Sequence, residues 1–294
     1  MIMNKVTLKV SAKINLSLDV TGKRSDGYHN IESIFQSVDI YDTITVSKRN
    51  DNEIRISCSD PIVPCDRRNI AYKAAELFYN YTGITGGADI YIEKFIPSQA
   101  GLGGGSSDGA GVLYALNMLY DTCLNGIKLT ELGGKVSADT AFFTVGGTAY
   151  VNGIGDEINS IRFIPKIDLV IAKGSSGIST PDAYSRIDTL SSMNHPETAK
   201  LLKAIDKGNF VKNCSLCRNV FENVANIDDV ISIKKLMRSH GALNSLMSGS
   251  GSAVFGIFPD KETALKCTDM LTEKFPFAVY CRAVPDSILV INKE

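Results

Sequence analysis

The chain has 294 residues with 31 basic and 32 acidic side chains, and its formal net charge of -1 leaves no long-range field to attract nucleic acid or an anionic membrane. Its content of 44% apolar and 21% charged residues excludes a disordered chain. No apolar run approaches the roughly 20 residues of a membrane-spanning helix, and seven scattered cysteines do not suit a disulfide framework, so we expect a cytoplasmic protein.

The first third of the sequence alternates apolar and polar residues in the manner of β-strands. Helical spacing occurs at 69–81, where Ile70, Ala74 and Phe78 share one face. The predicted strands are 5–10, 14–20, 42–47, 53–57 and 89–93.

A glycine-rich segment leads directly into a helix predicted over 108–120. It reads Gly101-Leu102-Gly103-Gly104-Gly105-Ser106-Ser107 and follows Pro97. Glycines let the backbone approach an anion closely, and a helix N-terminus directs N–H groups and a favourable dipole at it. The two serines can cap the helix and offer hydroxyls to phosphate or Mg²⁺. One interpretation is therefore a phosphate-binding loop, and the other is a flexible turn with a serine cap.

Two common phosphate-binding motifs do not fit this segment. The chain continues Gly105-Ser106-Ser107 where a P-loop would have glycine, lysine and then serine or threonine. Dinucleotide-binding spacing also fails, because its last required glycine would fall on Ser106 or Asp108.

The remainder of the chain mixes helices and strands without an internal repeat. The predicted elements are a mixed apolar stretch at 138–151, a strand at 167–172, a mainly helical region at 181–240, strands at 243–247 and 253–258, a helix at 261–275, and strands at 278–282 and 288–291. A turn-rich stretch at 152–159 is the best boundary signal. We therefore predict two domains, over 1–160 and 161–294.

Three segments, in order along the chain, resemble the galactokinase, homoserine kinase, mevalonate kinase and phosphomevalonate kinase (GHMP) superfamily. The glycine-rich segment resembles its phosphate loop, Ser11-Ala12-Lys13-Ile14-Asn15-Leu16 its N-terminal motif, and Met247-Ser248-Gly249-Ser250-Gly251-Ser252-Ala253 its C-terminal glycine motif. The resemblance implies an α+β fold, with an N-terminal domain like ribosomal protein S5 domain 2 and a ferredoxin-like C-terminal domain. It implies an ATP-binding first domain and a substrate-side second domain.

The same resemblance implies ATP and Mg²⁺ as cofactors. Asn69-Ile70 resembles a segment that lies near the nucleotide base. Ser107 is a candidate Mg²⁺ ligand, and the other metal ligands stay open. The nucleotide-binding residues implied by the resemblance are Pro97, Gly101, Leu102, Gly103, Gly104, Gly105, Ser106, Ser107 and Asn69.

One branch of the superfamily matches more closely. It serves isoprenoid biosynthesis and phosphorylates a cytidine-bearing polyol phosphate, and its signature resembles Gly22-Lys23-Arg24-Ser25-Asp26-Gly27-Tyr28-His29. By this resemblance Tyr28 and His29 hold the cytosine, Tyr184 lies on its opposite face, and Asn15 contacts the substrate. Without the resemblance, Tyr28 and His29 are a surface pair in a turn.

Lys13 and Asp139 are the predicted catalytic residues. A carboxylate near the acceptor hydroxyl can take its proton, and a nearby lysine can keep that carboxylate ionised or contact the reacting oxygens. Asp139 falls where the branch has Gly-Ala-Asp-Val-Pro-Phe-Phe, and the chain departs from this pattern at Ser137, Thr140 and Ala141. Read alone, Lys13 is a solvated strand residue and Asp139 a helix cap.

Two alternatives to this function stay open. The chain could be another GHMP kinase that acts on a sugar, an amino-acid alcohol or a mevalonate-like acceptor. It could also be a nucleotide-binding regulator without catalysis, although such a protein would need neither Lys13 nor Asp139. The expected partner is a small-molecule substrate, with no nucleic acid or membrane, and the chain is expected to be a monomer or homodimer.

Overall fold

The computed structural model describes residues 3–294, so the first two residues of the predicted N-terminal domain lie outside it. Residues up to 160 form β1 (Lys5–Lys23), β2 (His29–Arg49), β3 (Ile54–Cys58), α1 (Ile70–Thr82), β4 (Gly87–Glu93), α2 (Gly104–Leu119), α3 (Gly126–Val136), α4 (Ala138–Val145), β5 (Thr148–Asn152) and β6 (Glu157–Ser160). Later residues form β7 (Asp168–Lys173), α5 (Thr180–Ile187), α6 (Thr198–Asp206), β8 (Arg218–Asn219), α7 (Asp228–Ser239), β9 (Asn244–Met247), β10 (Val254–Phe258), α8 (Lys261–Thr272), β11 (Phe277–Arg282) and β12 (Ile288–Lys293).

The N-terminal half is built on a mixed sheet. This sheet has eight strands in the described part of the chain. Its main path is β12-β1-β2-β4-β3, and β5, β6 and β8 join beside it. Neighbouring strands are antiparallel except for the β3–β4 and β1–β8 pairs. Val10, Ile44, Phe78 and Leu116 belong to the core between this sheet and helices α1 and α2. This packing holds the beginning of α2 against β1.

The smaller sheet, counted over residues 3–294, has four antiparallel strands in the order β11-β7-β10-β9. Helix α7 precedes β9, and α8 lies between β10 and β11. Two helices between strands in this way give the β-α-β-β-α-β arrangement of ferredoxin-like domains. The ferredoxin-like prediction for the C-terminal half is therefore confirmed.

The two sheets share apolar packing. Ile14 and Leu16 of β1 belong to the same core cluster as Leu169 of β7 and Phe255 of β10. The last strand, β12, returns to pair with β1 of the larger sheet. The predicted α+β class is confirmed, while the domain boundary at residue 160 stays a prediction.

The first two strands are longer than the sequence pattern predicted. β1 continues through residues 11–13 and β2 begins at His29, where no strand was predicted. From Val10 to Val20 every residue of β1 is buried, because the strand is covered on both faces. The apolar and polar residues of β1 nevertheless alternate from Val10 to Val20, so the predicted strands 5–10 and 14–20 are parts of one strand that the prediction divided at 11–13.

Three helices also differ from the prediction, and one of them is α4, which occupies part of the mixed apolar stretch predicted at 138–151. α2 begins at Gly104 rather than Asp108, so the last two glycines of the loop are helical. α3 was not predicted at all, and its glycine pair at 133–134 lowers its helix propensity. Among residues 3–294, the structure contains no helix with the length and apolar character needed to span a membrane.

Candidate active site

A cavity of about 440 Å³ lies where the glycine-rich loop meets β1. Most of the residues that the sequence selected line it together, although they come from distant parts of the chain. These residues are Lys13, Asn15, Asn69, Pro97, Gly101, Leu102, Gly103, Gly104, Gly105, Ser106, Asp139 and Tyr184. Ser107, Tyr28 and His29 are not part of the lining.

The glycine-rich loop bends so that the N-terminus of α2 opens into the cavity. Gly101 and Gly103 have φ values of 73° and 74°, in the left-handed region that favours glycine. A Cβ atom on Gly103 would come within 2.7 Å of the Phe143 ring, so a side chain would not fit there. The first-turn N–H groups of α2, which lack partners within the helix, are thus available to an anion.

The C-terminal glycine segment packs directly on this loop. A Cβ atom on Gly101 would lie 2.0 Å from the carbonyl oxygen of Ser248. The Ser248 hydroxyl donates to the carbonyl oxygen of Gly101 at 2.9 Å, and the Ala253 N–H donates to that of Ala100 at 3.0 Å. The second glycine motif therefore supports the backbone of the first.

Lys13 and Asp139 meet at the cavity. The Lys13 ammonium lies 3.5 Å from Oδ2 of Asp139 and 4.6 Å from the centre of the Phe35 ring. Lys13 is only 3% exposed, so it is not a solvated strand residue. Asp139 lies in the first turn of α4, where the helix dipole favours a negative charge.

Asn15 connects Lys13 with the C-terminal glycine segment. Its Oδ1 accepts hydrogen bonds from the Lys13 ammonium at 2.8 Å and from the Gly249 N–H at 2.9 Å. Its amide nitrogen donates to Ser33 Oγ at 3.1 Å. The contacts of Asn15 in this structure are therefore with the protein, and its predicted contact with substrate stays a prediction.

Asn69 and Ser107 have local roles in the structure. Asn69 Oδ1 caps α1 by accepting from the Ala71 N–H at 2.8 Å, and its Nδ2 donates to the Pro64 carbonyl at 2.8 Å. The predicted serine cap on α2 is wrong, because the N-cap is Gly103 and no side chain caps it. Ser107 is buried and donates its hydroxyl to the Ser11 carbonyl at 2.7 Å, because α2 begins four residues earlier than predicted.

The three predicted cytosine-binding residues lie in two places. Tyr28 is 63% exposed in the turn between β1 and β2. His29 stacks on Tyr184, with ring centres 4.7 Å apart and planes at 25°. Burial, followed by the charge of Asp139, raises the pKa of Tyr184 to about 12. Tyr184 therefore lines the same cavity as Lys13 and Asp139 and also stacks on His29.

The sequence prediction missed a buried charge cluster beside the loop. Lys94 contacts both Asp42 and Asp108, and its ammonium lies 2.9 Å from Oδ2 of Asp108. Lys94 and Asp108 both line the cavity. Burial raises the pKa of Asp108 to about 8, opposed by the Lys94 charge and supported by the Asp42 charge. The sequence offered one indication, because both residues border the glycine-rich segment: Lys94 precedes Pro97 by three residues and Asp108 follows Ser107 directly.

A second missed contact closes the cavity from the C-terminal side. The hydroxyls of Thr180, at the start of α5, and Ser250 lie 2.9 Å apart, and both residues line the cavity. Ser250 belongs to the C-terminal glycine motif that the sequence analysis identified. Nothing in the sequence pattern around Thr180 pointed to this contact.

Two family models match the chain. The model described as GHMP kinases N terminal domain matches residues 69–147, and that described as GHMP kinases C terminal matches residues 198–276. The first match contains the glycine-rich loop and Asp139.

Several curated proteins resemble the chain over most of its length. One from Caldicellulosiruptor saccharolyticus, named 4-diphosphocytidyl-2-C-methyl-D-erythritol kinase, is 43% identical over 266 residues, which cover 90% of this chain and 92% of that protein. One of the same name from Clostridium tetani is 39% identical over 273 residues, covering 91% of this chain and 96% of that protein.

Solved structures also resemble this one. A crystal structure of 4-(cytidine 5'-diphospho)-2C-methyl-D-erythritol kinase has a TM-score of 0.78 and 29% identity, covering 94% of this chain and 98% of that chain. A homoserine kinase from Cytophaga hutchinsonii has a TM-score of 0.79 and 18% identity, covering 99% of this chain and 98% of that chain, and it supports the fold alone.

Proposed function

The chain belongs to the GHMP kinase family and is an ATP-dependent small-molecule kinase, and we propose that it phosphorylates a hydroxyl group of 4-diphosphocytidyl-2-C-methyl-D-erythritol. Relatives about 40% identical over about nine-tenths of the chain carry the name of that kinase. In this role it serves the methylerythritol phosphate route to isoprenoids.

The contact between Lys13 and Asp139, at the same cavity as the glycine-rich loop, is the observation that carries the proposal. A protein that only bound nucleotide would need the loop but not a buried lysine facing a carboxylate. The pair supplies a candidate base and a positive charge beside the N-terminus of α2. This arrangement suits transfer of a phosphoryl group to an alcohol.

We propose that the ATP phosphates bind at the N-terminus of α2. The first-turn N–H groups and the helix dipole both favour an anion there. Gly103 and Gly104 keep the surface free of side chains, so that the backbone can approach the phosphates.

Asp139 and Lys13 then act on the acceptor. Asp139 accepts the proton of the substrate hydroxyl, while the hydroxyl oxygen forms a bond to the γ-phosphorus and the bond to the β,γ-bridging oxygen breaks to release ADP. Lys13 lies 3.5 Å from this carboxylate and offsets negative charge on the transferring group. Asn15 and the Phe35 ring fix the direction of the Lys13 ammonium.

Mg²⁺ would accompany the ATP. Over residues 3–294, no three His, Cys, Asp or Glu side chains are grouped so as to hold a metal. That arrangement fits an ion that takes most of its ligands from phosphate and water, as Mg²⁺ does in kinases. The predicted ligand Ser107 does not line the cavity, and its buried hydroxyl donates to the Ser11 carbonyl. We propose instead the hydroxyl of Ser106, which lines the cavity, as the protein ligand. Bound there, Mg²⁺ would neutralise negative charge on the phosphates.

An ADP-release assay tests this function. We expect the protein with ATP and Mg²⁺ to release ADP rapidly when 4-diphosphocytidyl-2-C-methyl-D-erythritol is added and only slowly without an acceptor. ATP binding with no ADP release for any alcohol in a panel would contradict the kinase and favour a nucleotide-binding regulator. Release with a sugar, homoserine or mevalonate alone would favour another acceptor.

A further inference from the structure

Helix α5 places two side chains against the ring of His29. Tyr184 and Asp188 are four residues apart, so they lie on the same face of the helix, and Asp188 is its C-cap residue. The Tyr184 ring stacks on the imidazole. Asp188 Oδ1 lies 2.7 Å from Nε2 of the same imidazole. Tyr184 therefore contacts the face of the imidazole, and Asp188 contacts its Nε2 atom.

The two ring nitrogens of His29 have different surroundings. Nε2 faces Asp188, whose second oxygen accepts a hydrogen bond from Lys23. The hydrogen bonds from Lys23 and then from His29 lower the pKa of Asp188, so its carboxylate is an acceptor rather than a donor. Nδ1 of His29 has no hydrogen-bond partner among residues 3–294. In a neutral imidazole, a proton on Nε2 leaves a lone pair on Nδ1.

We propose that Asp188 is a positioning residue that holds the Nε2 proton of His29, so that Nδ1 is a hydrogen-bond acceptor that selects cytosine over uracil in the acceptor substrate. This inference rests on the proposed function, because it needs a substrate that carries a cytidine.

The chemistry of the two bases supports the direction of this selection. Cytosine presents a 4-amino donor where uracil presents a carbonyl oxygen, which is an acceptor. The Nδ1 lone pair can accept from the amino group but faces the uracil oxygen without a proton between them. A site built to pair a polar group discriminates strongly against an analogue that leaves that group unpaired.

The state of the ring is tested in the unliganded protein by ¹⁵N NMR. The chain has three histidines, so the His29 resonances are assigned by their loss in a His29→Gln variant. We expect the unmutated protein to show a proton on Nε2 and none on Nδ1. Asp188→Ala should populate both tautomers. A His29 ring with its proton on Nδ1, or a ring state unchanged in Asp188→Ala, overturns the positioning role.

The selection is tested with the cytidine substrate and its uridine counterpart. We expect Asp188→Ala to lower the cytidine preference in kcat/KM by about tenfold, with the KM for ATP within about twofold of the parent value. Lys23→Ala is the matched control, because it removes the other partner of the same carboxylate. It should keep the ring state and nearly all of the preference.

The outcomes separate this inference from the proposed function. Equal loss of preference in Lys23→Ala and Asp188→Ala, with an unchanged ring state, would indicate a general loosening of α5 and overturn the inference. Efficient phosphorylation of the cytidine compound by Asp188→Ala, with its preference intact, also overturns it while the proposed function stands. An unmutated protein that uses neither compound overturns the proposed function and the selection together, while NMR still decides whether Asp188 holds the ring.

Discussion

Lys13 is fixed by contacts on several sides. Asn15 accepts a hydrogen bond from its ammonium, the Phe35 ring lies beneath that ammonium, and Asp139 faces it across the cavity. A buried ammonium is costly unless it is paired, so removal of one partner affects both the charge balance and the geometry. The function proposed here therefore depends on individual atoms at Lys13 and Asp139.

Asp139→Asn keeps the shape of the side chain and removes the base. We expect kcat to fall by about a hundredfold to ten-thousandfold, with nearly unchanged nucleotide binding, because the loop is intact. The measurement is steady-state ADP release together with ATP binding by calorimetry. Asp269→Asn, at an exposed position of α8, is the control and should keep the parent kcat. A variant with nearly the parent rate would show that Asp139 is not the base.

Tyr28→Ala tests the exposed side of the base-binding region. Base stacking on an aromatic ring contributes roughly 1–3 kcal/mol, so the KM for the cytidine substrate should rise by about fivefold or more while the KM for ATP stays constant. Tyr81→Ala, another exposed tyrosine, at the end of α1, is the control. If both variants have the parent KM for the cytidine substrate, Tyr28 does not stack on the base.

A charge cluster beside the glycine-rich loop joins β2, the segment that follows β4, and α2. Asp42 of β2 accepts from the Phe95 and Ile96 N–H groups just beyond β4, and Lys94 connects it to Asp108 of α2. One ammonium therefore faces two carboxyl groups, and Oδ1 of Asp108 is buried with no partner within residues 3–294. This cluster fixes α2 relative to the larger sheet.

Asp108 should make stability depend on pH. Because its pKa is raised from 3.8 to about 8 on folding, the folded state holds more protons than the unfolded state between these values. The contribution of Asp108 to the free energy of unfolding therefore falls as the pH rises from about 4 to about 8. Urea unfolding from pH 5 to 8 should show a flatter pH dependence for Asp108→Asn than for the parent. Two parallel curves would contradict the raised pKa.

Two adjacent glycines in α3, Gly133 and Gly134, allow a matched test of how closely this helix packs on α4. A Cβ on Gly134 would meet nothing within 4 Å, whereas one on Gly133 would lie 3.1 Å from the backbone of Ala141 in α4. Gly134→Ala should raise the free energy of unfolding by about 0.5–1 kcal/mol, because alanine favours the helix. Gly133→Ala should lower it. Chemical denaturation measures both, and equal effects would contradict the close packing of α3 on α4.

For the whole molecule, the site depends on segments from both halves of the chain. Lys13 and the glycine-rich loop come from the first half, and the Ser248–Gly249 segment that supports them comes from the second. The core that unites β1 with the smaller sheet lies beneath this contact. The cavity is therefore a product of the complete fold and not of the loop alone.

The sequence predicted the parts of the site that are encoded by local motifs. The glycine-rich loop, Lys13 and Asp139 stand in short segments, and the structure places them around one cavity. The contact between His29 and Asp188 joins residues 159 positions apart, so no local pattern reveals it. The alternation in β1 continues through residues 11–13, where the prediction divided the strand, and α3 was missed because of its glycine pair.

A competition experiment tests whether 4-diphosphocytidyl-2-C-methyl-D-erythritol is the acceptor substrate. The unmutated protein is given ATP, Mg²⁺ and an equimolar mixture of 4-diphosphocytidyl-2-C-methyl-D-erythritol, galactose, homoserine and mevalonate, and the phosphorylated products are identified by ³¹P NMR and mass spectrometry. We expect the phosphoryl group on the cytidine compound, with one ADP formed for each product molecule. Phosphorylation of one of the simple alcohols, with the cytidine compound left unchanged, would contradict the proposed acceptor.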